Sequence, residues 1–241
     1  MTAQSTITVS GIEVQIVRKA IKNLHLAVYP PDGQVRVAAP VHVNDENVRL
    51  AVIDRLAWIR RQQQGFRDQP RQSERQYISG ECHYFLGRRC RLDVIERAGK
   101  AEIQLLKSGR LKMFVRPDAN VEAKERLLND WYRQALKKRV PELLDAWQPL
   151  VGKEVRAWGI KKMKTKWGSC NIVQRRIWLN LELAKKPPEC LEYILVHELV
   201  HLYERHHNDR FRERLEAVMP DWRARVNVLN SSPLAHEDWR Y

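Results

Sequence analysis

The sequence predicts an α+β protein: a β-rich region with one helix over residues 1–117, then a core over residues 118–241 built round one buried helix. Three observations predict it. Short apolar runs alternate with polar residues through the first part, the pattern of half-buried strands. Helical periodicity then takes over from about Val121. Finally, the stretch from Tyr193 to Tyr203 is apolar nearly all round except for His197, Glu198 and His201. A helix of that composition is buried on several sides, and its polar groups must be paired or bound.

Each element follows from local chemistry. Ile12–Val17 and Leu24–Tyr29 alternate, and Val35–Ala39 follows the turn Pro30-Pro31-Asp32-Gly33. Asn44 or Asp45 caps a helix expected to run to about Gln64, with Val48, Val52, Leu56 and Ile59 on one face. The polar stretch from Gly65 to Gln76 is expected to be an exposed connection. Tyr84–Glu96 and Ala101–Val115 read as further strands, with Gly87, Gly99 and Gly109 at turns or bulges. The helix from Val121 carries Leu127, Leu128, Trp131, Ala135 and Leu136, and Pro141 is expected to kink or break it. Short strands are expected at Val155–Trp158, Lys162–Lys166 and Arg176–Leu183. Pro187-Pro188 then opens the buried helix, with Glu189 and Glu192 suited to its positive end. No internal repeat or low-complexity segment is visible.

Bulk properties narrow the function. No apolar run approaches the length of a membrane span. The start, Met-Thr-Ala-Gln-Ser-Thr, lacks the basic and apolar regions of a signal peptide, so a cytoplasmic protein is expected. Cys82, Cys90, Cys170 and Cys190 form no CxxC pair and read as reduced thiols. The formal net charge of +14 makes nucleic acid a candidate partner, and Lys137-Lys138-Arg139 is the best local patch for it. A solvated helix face is the simpler reading of that patch.

His197-Glu198-Leu199-Val200-His201 is an H-E-x-x-H motif. Residues four apart on a helix share a face and lie about 6 Å apart along its axis, so two imidazoles can reach one zinc ion. Glu198 can then approach a water without ligating the metal. Two buried core histidines would be the plain alternative, but that leaves a buried glutamate unpaired. Catalytic zinc takes three protein ligands. His207 completes H-E-x-x-H-x5-H, His206 stands beside it, and Glu213 or Glu216 is the acidic alternative.

These residues carry a resemblance. Lys166-Trp167-Gly168-Ser169-Cys170, Ile177-Trp178-Leu179-Asn180, the run Tyr193 to Leu202, and His207-x3-Phe211 occur in that order. The sequence resembles the YgjP-like metallopeptidases, relatives of SprT and of the WLM zincins. The match is strongest from Lys161 to about Leu229 and weaker over Gly80-Glu81 and Phe85-Leu86-Gly87. It departs from the family at His206, commonly Asn or Asp there, and at Arg212, often Trp. The resemblance implies a zincin-like catalytic core. It implies Zn2+ held by His197, His201 and His207, with Glu198 as catalytic base. The expected function is a zinc metallopeptidase that hydrolyses peptide bonds with a zinc-activated water. Tyr203, His206 and Lys166 are candidates for a second oxyanion donor, and the Arg176–Leu183 strand for a sheet edge that takes the peptide. Trp167 and Asn180 are expected near the cleft or as packing residues. The alternative function is a DNA-associated module, either inactive or acting on DNA-bound proteins.

Overall fold

The computed structural model describes residues 4–29, 33–68, 75–163 and 166–231. They mix six α-helices with three small sheets and fall into two compact units, 4–68 and 75–231. The boundary expected at 117/118 lies between a strand and a helix of the second unit.

The first unit begins with β1 (Gln4–Val9), β2 (Ile12–Lys19), β3 (His25–Tyr29) and β4 (Gln34–Pro40). They form one sheet in the order β1-β2-β4-β3, with only β2 and β4 parallel. Strand β1 went unforeseen, and the turn residues 30–32 lie outside the described residues. The single helix expected over 44–64 is two, α1 (Asp45–Ile53) and α2 (Leu56–Asp68). Asn44 is the cap: its side chain accepts from the Asn47 amide at 2.9 Å. The chain breaks at Asp54-Arg55, where the Arg55 amide bonds the Val52 carbonyl in a tighter turn. That break lets Val48, Val52 and Ile59 all reach the core of Val14, Ile16, Val35 and Val37.

The second unit opens with β5 (Cys82–Phe85), β6 (Arg88–Glu96), β7 (Glu102–Leu105) and β8 (Arg110–Val115), in the order β5-β6-β8-β7 with β6 and β8 parallel. This repeats the topology of the first sheet, and the landmarks repeat with it. The first hairpin turns on Ser10-Gly11 and the second on Leu86-Gly87, all four with positive φ. Asn44 caps α1, and Asn120 caps α3 (Val121–Val151) by the same side-chain bond to the residue three on. Both spacings, like that of Gly33 and Gly109, are 76 positions (87 less 11). The chain therefore contains a duplicated β4α module. The sequence hides it because buried Val35, Val37 and Ala39 correspond to Leu111, Met113 and Val115, alike in burial but not in identity.

Pro141 neither ends nor divides α3, which runs 31 residues through both Pro141 and Pro149. Pro141 lies on the exposed side, so the Lys137 carbonyl it leaves unbonded has access to water. Leu128, Tyr132, Leu136, Val140 and Leu144 line the opposite, buried face. Each such side chain is worth about 1.5–3 kcal/mol of burial, enough to offset one lost backbone bond. Lys137 and Lys138 are exposed.

After α3 come β9 (Ala157–Lys161), β10 (Gly168–Asn171) and β11 (Arg176–Asn180), then a 3-10 turn, Leu181–Lys185. The strand expected over 155–158 is thus shifted, and the one over 176–183 ends at Asn180. Residues 162, 163 and 166 are not strand, and 164–165 lie outside the described residues. The sheet order is β10-β11-β9, so β11 is central and β10 is an edge. Helix α4 (Pro188–Val200) packs against this sheet and α3, and α5 (Asp209–Val218) and α6 (Trp222–Ser231) follow. Glu192 ties three helices together, taking the Trp147 indole N–H at 2.9 Å and pairing with Arg225. No helix among the described residues is long and apolar enough to cross a membrane.

Candidate metal centre

Helix α4 supplies His197 and Glu198, and His201 is its helical C-cap. Every α4 residue from Tyr193 to Val200 is buried. The chain then turns over 201–207, and Asn208 caps α5 by accepting from the Phe211 amide at 2.9 Å. Asn208 also donates to the Glu204 carboxylate at 3.1 Å, which holds the turn. His207 therefore comes back over α4.

The three imidazoles converge. His207 Nε2 lies 2.9 Å from His197 Nε2 and 3.1 Å from His201 Nε2. A tetrahedral zinc with bonds of about 2.1 Å sets its nitrogens about 3.4 Å apart, close to this spacing. Two of the outer nitrogens are already engaged. His201 Nδ1 meets the Glu204 carbonyl at 2.8 Å, so it carries the proton and leaves Nε2 a bare lone pair. His197 Nδ1 lies 3.3 Å from the Tyr193 hydroxyl. Phe211 packs against all three rings, with centroids 4.7–4.9 Å away. Burial lowers the pKa of each imidazole, to about 3 for His197. Burial thus favours neutral imidazoles, whose Nε2 atoms converge on one point. Such an arrangement suits a borderline metal ion.

Glu198 is 3% exposed, and its Oε2 has no partner among the described residues. Burial raises its pKa to about 8, against an opposing effect from Lys166. A buried carboxylate oxygen with nothing to bind is costly, and fits a site that a water and a cation complete. Gly168 makes room for it: a Cβ there would lie 2.4 Å from Glu198 Oε1.

The centre opens into a cleft of about 400 Å³ lined by Lys166, Arg205, Ile172 and the β10 residues Gly168, Ser169 and Cys170. Among the described residues, the cluster able to hold a metal contains His197, His201 and His207. His206 and the exposed Glu213 are outside it, and Glu216 is spent on Trp222 Nε1 at 2.7 Å and on Arg223. Tyr203 does not line the cleft, since its hydroxyl bonds the Val151 and Gly152 carbonyls at 3.0 and 3.1 Å. Trp167 and Asn180 also stand behind it. Trp167 is buried beneath Lys186 Nζ, 5.2 Å from the ring. Buried Asn180 donates to the carbonyls of Met163 at 3.1 Å and Lys166 at 2.6 Å and accepts from the Glu182 amide at 3.1 Å. It staples the segment that carries Lys166. Asn180→Ala strands these groups, so urea unfolding should show a loss of at least about 2 kcal/mol. Sequence reasoning missed Tyr193 and the Glu204 carbonyl as supports, although Tyr193 stands four residues before His197 on the same helix face.

The YgjP-like metallopeptidase domain matches residues 22–232. The chain belongs to the YgjP-like family. Membership brings a metallopeptidase domain, hence a metal cofactor, and the match reaches well into the first compact unit. The YgjP-like chain is also similar to the crystal structure of the metallopeptidase zymogen abylysin of Pyrococcus abyssi. They share 25% identity over 37% of this chain and 87% of that one, with a TM-score of 0.34. No curated protein matches it.

Proposed function

We propose that this chain is a zinc-dependent peptidase with a zincin-like core, its metal held by His197, His201 and His207. The observation that carries the proposal is the convergence of three Nε2 atoms beside the orphaned Oε2 of Glu198. A bound zinc ion supplies Lewis acidity and makes water acidic enough to act at neutral pH. Glu198 accepts the proton of the attacking water and passes it to the leaving amine. Lys166, alone of the three candidate oxyanion donors in lining the cleft, is placed to stabilise developing negative charge. An extended peptide pairs with the outer edge of β10, whose residues line the cleft. The central strand β11 has neighbours on both sides, so it does not offer the edge expected of it.

The test is to assay metal content and cleavage of a peptide library by the full chain, then strip and restore zinc. About one zinc per chain, with cleavage that vanishes and returns with the metal, supports the proposal. A chain that takes up no zinc, or cuts nothing when loaded, refutes it. Gly168→Ala gives a sharper check on Glu198. The added methyl must displace the carboxylate, and a misplacement of about 1 Å costs about 100-fold. Turnover should fall by that order while bound zinc stays constant.

A further inference from the structure

The charges at the mouth of the cleft are unmatched. Lys166 and Arg205 both line it, and neither side chain makes an ion pair or hydrogen bond among the described residues. Arg212, by contrast, is paired with Asp209 at 2.8 Å. Among the described residues, the only carboxylate in the lining is Glu198, which is buried. The rest of the described lining, Ser169, Cys170 and Ile172 included, carries no acid. Lys166 and Arg205 together set a positive field over the mouth of the cleft. A metal dication would add to this field. Two unpaired cations over low-dielectric walls attract an anion and penalise a cation.

We propose that Arg205, with Lys166, makes this cleft selective for acidic peptides, those with a carboxylate side chain beside the scissile bond. The selectivity rests on the peptidase reading for its substrate class. Arg205 acts on binding and takes no part in the bond-breaking step.

The test uses the full zinc-loaded chain carrying Glu198→Gln and three labelled peptides alike except for a central Glu, Gln or Lys. Fluorescence anisotropy should show the Glu peptide binding about tenfold tighter than the Gln peptide, and the Lys peptide weakest. Adding Arg205→Glu should abolish or invert that order. Lys100→Glu, the same charge change at an exposed residue outside the cleft lining, should leave it intact. Equal affinities, or equal shifts from the two substitutions, overturn the inference. Cleavage by the wild type separates the two readings. Acid-selective binding without cleavage of any peptide keeps the selectivity and sinks the peptidase. Cleavage of all three peptides at equal rates, without binding preference, does the reverse.

Discussion

Glu198→Gln is expected to retain about one zinc per chain and to lower peptide hydrolysis by about 10²–10⁴-fold, the usual contribution of a general base. The amide keeps the shape of the carboxylate and removes its capacity to take a proton. None of the three converging nitrogens belongs to Glu198, so metal content should not follow activity down. Stability gives an independent readout. In the metal-free protein, burial raises the Glu198 pKa from about 4.5 to about 8. Between those values the folded state holds a proton that the unfolded state has released, so stability falls as pH rises through this window. Glu198→Gln removes that dependence. Metal-free Glu198→Gln should therefore gain on metal-free wild type in urea melts from pH 5 to pH 8.5. Parallel stability curves would mean that Glu198 is not buried as a carboxylic acid, and undiminished hydrolysis would mean that it is not the base.

What the sequence revealed, and what it withheld, divides along physical lines. Helical spacing alone puts His197 and His201 on one face with Glu198 one residue on, and that much was legible with no knowledge of the rest of the chain. The apolar wrap of α4 announced its burial in the same local way. Contacts made across the turn were not legible. Whether His206 or His207 comes back over the helix depends on the Asn208 cap and its bond to Glu204, a tertiary outcome of a seven-residue loop. The assignment of the sheet edge failed for a related reason. Alternation marks Arg176–Asn180 as a strand, but only pairing shows that β9 and β10 flank it on both sides. The duplicated module was hidden because polarity, not residue identity, is what the two copies share. Proline was weighed too heavily at Pro141, where the exposed side of α3 tolerates a missing donor.

The choice between the paired histidines carries the other large expected effect. His207→Ala should weaken zinc binding by at least about 100-fold, since loss even of a group that only supports a ligand costs about 10–100-fold. His206→Ala should leave it nearly unchanged. The reasons are geometric. His207 Nε2 stands about equally far from the other two Nε2 atoms, and Phe211 fixes its ring from behind. His206 is exposed and stands outside the converging cluster. Chelator competition reads the affinity directly, and a thermal melt with and without zinc reads it through folding. An ion bound only by the folded state adds about 4 kcal/mol at a thousandfold excess over Kd. Zinc should thus raise the melting temperature of wild type and His206→Ala but not of His207→Ala. In the metal-free melts, His207→Ala should stay close to wild type, because the His207 side chain is exposed. A metal-free His207→Ala that unfolds early would instead make the imidazole a packing residue. Zinc lost from His206→Ala and kept by His207→Ala would move the third ligand one residue back, and with it the wall of the cleft that Arg205 is proposed to guard.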